Sequence, residues 1–475
     1  MTPLGYILLP IGLAALLFSK RWLYRLFVFW TLFSASSALN VGEGENGSAL
    51  QVWMLFGFLW IIRLIAENLS LVRLKVDGRI ARPCLWLIAF LCIASASLIM
   101  PVYINGTMAI SSPSLANDSE TPLFLTSHSF TQLLYLIFGG TIAICVAHSN
   151  MRDRDRHETE QIILLSGLFI ALWGLVQFFC NITGAAYPDY IFNNSGSASG
   201  KGFLETLDGV GRVCSVATEP AVFAQALISL LPLTLAAWLR KGSVLSPRID
   251  KACAVLFVVL LLVCTSSIGY LGLLILGILL LPLLWRTHTI SALKALKIAA
   301  MVTAALTALV VVSVSSIPVV SDVINSALLN KATAGSGVER GMTIVLAFGY
   351  FQKFPLLGIG WGSATSHDLL VKLLSNVGVV GTFTFLGTAI SVLRGNWRSL
   401  KPLLTADSLS RAAWFLALAI FLSTSLFNEF PLAFGNFWLV LGMAISTSPK
   451  SELAPESLFK SEIPKRINHL SLASD

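Results

Sequence analysis

The sequence predicts an all-α polytopic membrane protein with roughly 12 to 13 spans, and three observations predict it. Hydrophobic residues make up 56% of the chain and charged residues 12%, with a mean hydropathy of +0.80. A water-soluble domain carries roughly 25% charged residues, so most of this chain needs an apolar solvent. Apolar runs near twenty residues recur along the chain, about the length that crosses hydrocarbon. Loops rich in lysine and arginine alternate with loops nearly free of them, as expected of segments on opposite faces. The net charge of +8 belongs to that loop pattern and is no sign of nucleic-acid binding.

Taken in order, the spans fall at roughly 4–18, 22–40, 49–66, 84–104, 129–147, 160–180, 221–239, 251–266, 268–285, 297–315, 370–393, 411–427 and 430–447. The Lys20/Arg21 hairpin decides whether the count is thirteen or twelve. Residues 1–447 read as one transmembrane domain, and the polar, proline-containing stretch 448–475 as a disordered cytoplasmic tail. The positive-inside rule then puts the N-terminus outside and the tail inside. The first apolar run has no basic residue before it and no clear cleavage site, so it is expected to stay. Seven cysteines, mostly within spans, show neither zinc spacing nor a disulfide framework. Arg63 lies near the cytoplasmic end of its span, where snorkelling accounts for it.

This orientation isolates six exceptions. Lys201, Arg212, Lys331, Arg340, Lys353 and Lys372 lie on or open towards the outer side, in or beside the long segments 181–220 and 316–369. In the second segment, Ser336 and Glu339 have the spacing of a capping box, which starts a helix with Arg340 on its first turn. Backbone N–H groups, the helix dipole and a guanidinium converge there, a recipe for holding an anion. That helix is apolar to Phe354, is stopped by Pro355 and is too short to span, so it reads as an amphipathic helix on the outer surface. A turn with Gly358, Gly360 and Gly362 leads to His367 and Asp368 at the mouth of the next span.

In the first segment, Pro220 suits the first turn of a span and leaves Glu219 flanking it. Glu219 is either a cap or ion-pair partner of Arg212, or a carboxylate raised by burial to act as a base. His367 is either an interfacial structural residue or a catalytic one, and its neighbours Arg340 and Asp368 favour the second reading. His128 reads as surface.

The run from Arg340 through PLLGIGWG to SHDLLVKLLSNVGVVG resembles the signature of the O-antigen ligase and polymerase superfamily. Upstream, RVCSVATEPAVFAQAL is similar to the Arg…Glu-Pro…Phe-Ala segment of its bacterial surface-polysaccharide polymerases. Asp368 and Leu370 stand where many members have asparagine and an aromatic residue. The resemblance implies a GT-C-like glycosyltransferase of the bacterial inner membrane that uses undecaprenyl pyrophosphate-linked glycans, with no metal, cofactor or nucleotide sugar. It implies Arg212, Arg340 and Lys353 as pyrophosphate-binding groups and Glu219 or His367 as the base, and it allows a chain-length regulator as partner. The Glu-Pro segment favours a polymerase. A ligase acting on lipid A core is the alternative, and a transporter or flippase the second alternative.

Overall fold

The computed structural model describes residues 1–41, 48–68, 78–114, 117–196, 202–207, 210–239, 243–286, 335–400, 406–428 and 430–448. The span expected at 297–315, Lys201, Lys331 and the tail beyond 448 lie outside the described residues. Eleven helices precede the gap at 287–334: α1 Pro3–Phe18, α2 Lys20–Trp30, α3 Val52–Asn68, α4 Gly78–Ser97, α5 Ile99–Ile104, α6 Ser127–Ser149, α7 Asp153–Thr183, α8 Asp189–Phe192, α9 Pro220–Leu239, α10 Pro247–Val263 and α11 Ser267–Arg286. Four follow it: α12 Gly335–Lys353, α13 Leu369–Ser399, α14 Ala406–Ser425 and α15 Gly435–Ser446. The described strands pair only as three two-stranded hairpins. Six of the described helices are long and apolar enough to cross a membrane, and three shorter apolar helices accompany them. The protein is an all-helical membrane protein.

The second expected span, 22–40, is helical only from Lys20 to Trp30. Eleven residues rise about 16 Å, half of a hydrocarbon core. Beyond them residues 31–38 are non-helical for most of their length and wholly buried. Irregular backbone at membrane depth is tolerated only where protein surrounds it. Here Ala35 N–H donates to Val216 O at 3.0 Å, and Ser34 Oγ accepts from Thr218 N–H at 3.1 Å. This half-helix therefore supports the loop between Arg212 and Glu219.

Helices pack closely where glycine removes the side chain. Gly139 on α6 faces Trp438 on α15, where an added Cβ would meet the indole nitrogen at 2.1 Å. Such small-residue contacts bring membrane helices together where hydrophobic burial gives no drive. One end of the bundle gathers the basic loops through shared ion pairs. Arg21 and Arg25 grip Glu158, Lys20 and Arg63 grip Glu67, and Arg156 joins α7 to Asp407 on α14.

Helix α13 is broken at Gly378, with φ 64° and ψ −166°. The groups released by the break pair with the preceding turn. Val379 N–H donates to Pro355 O at 2.8 Å, and Ile359 N–H donates to Ser375 O at 2.8 Å. Gly358, Gly360 and Gly362 all have positive φ, which lets the turn approach the break closely. Asn376 locks it. Its Oδ1 accepts from Ser363 and Ala364 N–H at 3.0 and 3.1 Å, and its Nδ2 donates to Ala364 O and Lys372 O, both at 2.9 Å.

A methyl group at Gly378 would sit 2.2 Å from Leu356 O, in a backbone region that side chains avoid. Gly378→Ala should lose about 2 kcal/mol or more, read as a fall in detergent melting temperature. Gly277→Ala on α11, where nothing among the described residues lies within 4 Å of the added Cβ, should be neutral or slightly stabilising.

Candidate functional site

The loop from Arg212 to Glu219 is held by Gln177, which is fully buried on α7. Gln177 Oε1 accepts from the N–H groups of Cys214 and Ser215 at 2.9 and 2.7 Å, and its Nε2 donates to Arg212 O at 3.2 Å. Ser215 adopts a φ of 54°, a left-handed conformation that is costly for a non-glycine residue. Four hydrogen bonds hold it there. Besides the bond to Gln177, Ser215 Oγ donates to Ile170 O, and Ser215 O accepts from Tyr187 Oη and Asn193 Nδ2. The bend brings Arg212 and Glu219 to the same end of the bundle.

Arg212 already has an ion-pair partner. Its NH1 donates to Glu205 Oε2 at 2.7 Å and its NH2 to Thr265 O at 3.3 Å. Thr265, between α10 and α11, is another non-glycine residue with positive φ, at 50°. Arg212 Nε and Thr265 Oγ1 are both buried without a hydrogen bond among the described residues, polar positions suited to water or a polar ligand. Glu219 is thus not the ion-pair partner of Arg212. It begins the hydrogen-bond ladder of α9 through its carbonyl, which accepts from Phe223 N–H at 3.1 Å. Its half-buried carboxylate makes no hydrogen bond or ion pair among the described residues. Burial raises its pKa and the charge of Glu205 adds to this, while Arg340 and Arg212 oppose it.

Arg340 stands on the second turn of α12. The helix already includes Ser336, which therefore stands inside the first turn instead of capping it; its side chain lies outside the described residues. The Arg340 guanidinium also makes no hydrogen bond or ion pair among the described residues. Burial weighs against its charge, offset by Glu219 and Glu205. It remains a cation, as arginine does in proteins. The exposed stripe of α12 carries Met342, Val345 and Phe348, and ends on exposed Gln352 and Lys353. Lys353 lies thirteen residues past Arg340, about 20 Å along the helix, so it is not grouped with the others.

His367 meets α12 directly, with Nδ1 3.0 Å from Thr343 Oγ1. The Thr343 hydroxyl donates its proton to Arg340 O at 2.9 Å, so it accepts from His367 Nδ1–H. That assigns the tautomer and puts the lone pair on Nε2. Burial, then Arg340 and Lys372, push the imidazole down to about 4, so it is neutral at physiological pH. The adjacent Asp368 is a helix cap, its carboxylate accepting from Val371 N–H at 2.8 Å.

Arg340 and His367 line a cavity of about 590 Å³ whose other walls are largely apolar, among them Tyr270 and Leu274 of α11, Ile344 of α12 and Phe427 after α14. The structure brings together Arg212, Glu219, Arg340 and His367, and adds Glu205, Thr343, Lys372 and Gln177. Of these, Gln177 had a visible signal, a buried amide in an apolar span. Among the described residues no three His, Cys, Asp or Glu side chains converge as metal ligands would. All seven cysteines are free.

A scan against models of protein families finds no match to this chain, and a search of curated proteins finds none either.

The His367 shift fixes a pH signature. Its folded value of about 4 lies below the ordinary 6.5, so the unfolded chain takes the proton first as pH falls. Stability from this group is intact above about 6.5 and is lost as pH drops towards 4. A His367→Asn variant should lose less stability than wild type across that window. Imidazole NMR of the folded protein should show one histidine titrating near 4 that is missing in the variant.

Proposed function

We propose that this protein is a bacterial surface-polysaccharide polymerase of the O-antigen ligase and polymerase superfamily, a GT-C-like enzyme of the inner membrane with 12 to 13 spans. It transfers a glycan from undecaprenyl pyrophosphate to a lipid-linked repeat unit at the outer face. Its N-terminus lies outside, its C-terminal tail is cytoplasmic, and a chain-length regulator is an expected partner. The observation that carries the reading is the pairing of a guanidinium with a carboxylate, neither of which has a hydrogen-bond or ion-pair partner among the described residues. Arg340 lines a largely apolar cavity, and the raised Glu219 lies within range of its charge. A pyrophosphate on a polyprenyl chain requires both features, a cation for the anion and an apolar wall for the lipid.

In the reaction the acceptor hydroxyl oxygen bonds to the anomeric carbon while the bond to the pyrophosphate oxygen breaks. The electron pair leaves on the pyrophosphate, where Arg340 and Arg212 stabilise the growing negative charge. The hydroxyl proton passes to Glu219. A base works best with a pKa near the working pH, so the raised carboxyl suits that role better than an imidazole held near 4. His367 instead orients the acceptor as a neutral hydrogen-bonding group. Lys353, remote from this group, binds no pyrophosphate oxygen in the arrangement described. The proposal requires no metal.

The test uses purified protein in detergent with lipid-linked repeat units and EDTA, read as a glycan ladder. Wild type should form the ladder. Glu219→Gln should slow it by about 10²- to 10⁴-fold and Arg340→Ala by about 10²- to 10³-fold, with His367→Ala milder. A full ladder from Arg340→Ala would overturn the clamp. Product only when lipid A core is added would make the protein a ligase, and no product under either condition would move the assignment to transport.

A further inference from the structure

A second cavity, of about 730 Å³, opens at the far end of the bundle between α2, α3 and the α6–α7 connection. Glu158 at its wall and Gln177 behind Arg212 are separated by nineteen residues of α7, about 28 Å, close to the thickness of hydrocarbon. The two cavities therefore face opposite membrane surfaces, and the second stands independently of the function proposed for the first.

Four cations line this second cavity, Lys20, Arg21, Arg152 and Arg154, against the carboxylates Asp155 and Glu158. Glu158 is shared between two arginines, with Arg21 Nε 2.9 Å from both oxygens and Arg25 Nε at 2.6 Å. Glu67 is likewise shared between Lys20 at 2.5 Å and Arg63 at 2.9 Å. Each cluster keeps an excess positive charge. Arg152 and Arg154 are exposed and have no ion-pair partner among the described residues. Like charges gathered in a concavity repel, and an anion between them removes the repulsion.

The floor is rigid and aromatic. Tyr24 is fixed by Asn150 Nδ2 at 2.6 Å and Thr159 Oγ1 at 2.9 Å, and its ring lies against Trp60, centroids 4.8 Å apart. The chain next to Lys20 and Arg21 has the character of a membrane interface. Trp22 is exposed with Arg25 stacked 5.0 Å from its ring, and Leu17 and Phe18 on the last turn of α1 are 71% and 84% exposed. A ligand seated here would have its phosphate among the cations and its chains against exposed apolar side chains.

We propose that this cavity binds the phosphate-bearing head group of an anionic phospholipid from the leaflet on the basic face. The shared chemistry is a phosphate monoanion, and the exposed apolar side chains next to Lys20 and Arg21 favour a lipid over a soluble source.

The test is titration of the delipidated full-length protein in detergent with phosphatidylglycerol, phosphatidylcholine or inorganic phosphate. Bound lipid is counted by native mass spectrometry and melting temperature is recorded alongside. Phosphatidylglycerol alone should bind and stabilise. Arg152→Ala/Arg154→Ala should weaken that binding about 30-fold, at the usual contribution of a cation near a charged surface. Both side chains are exposed, so the variant should fold. Arg248→Ala/Arg398→Ala, two other exposed cations, should leave binding unchanged. Equal binding by the first variant, equal loss in the second, equal response to phosphatidylcholine, or a response to phosphate without lipid would each overturn the proposal.

Discussion

A peptide group that leaves a helix inside hydrocarbon has no water to bond, and each one left unpaired costs several kcal/mol. Among the described residues the chain leaves helical geometry at several buried places, of which three carry the site: after Trp30, between Arg212 and Glu219, and between Pro355 and the break at Gly378. The first two satisfy each other through Ala35, Val216, Ser34 and Thr218. The third satisfies itself, the glycine-rich turn pairing with the broken helix and Asn376 closing the remaining groups. Arg212, Glu219, His367 and Lys372 hang from these places, and Arg340 and Thr343 from α12 beside them. The polar chemistry sits where irregular backbone had to be built and then locked.

That construction settles the electrostatics. Had Glu219 paired with Arg212, its proton affinity would fall and it would be a structural anion. Glu205 takes that partnership instead, through its side chain and its carbonyl, and fixes Arg212 without spending Glu219. Glu219 and Arg340 are left half-buried, opposite in sign and without hydrogen bonds among the described residues. Such groups are costly in an empty site and strongly favourable when a ligand supplies the missing contacts. His367, held neutral and in one tautomer through Thr343, completes a set whose protonation states differ by environment and not by residue type alone.

The opposite face is built differently. There Glu67 on α3 and Glu158 on α7 are each shared between two cations, and Arg156 bridges α7 to α14. These bonds tie helix ends together and keep a positive excess, which suits a surface that meets anionic lipid. A single helix, α7, joins the two faces and contributes Gln177 to one and Glu158 to the other.

Composition and hydropathy by themselves determined the class, an all-helical membrane protein, because apolar runs of that length leave no other way to satisfy backbone groups. Local rules also marked the start of α9 at Pro220, a helix carrying Arg340, and the glycine turn, since each follows from a residue's own backbone preference. Residue types and spacing drew attention to Arg212, Glu219, Arg340 and His367. Tertiary structure alone decided that α2 stops at Trp30 and that Glu205 rather than Glu219 pairs with Arg212. The reason is that these outcomes depend on contacts between residues distant in the chain, as when Gln177 holds Ser215, and hydropathy carries no record of which polar group a buried turn will meet.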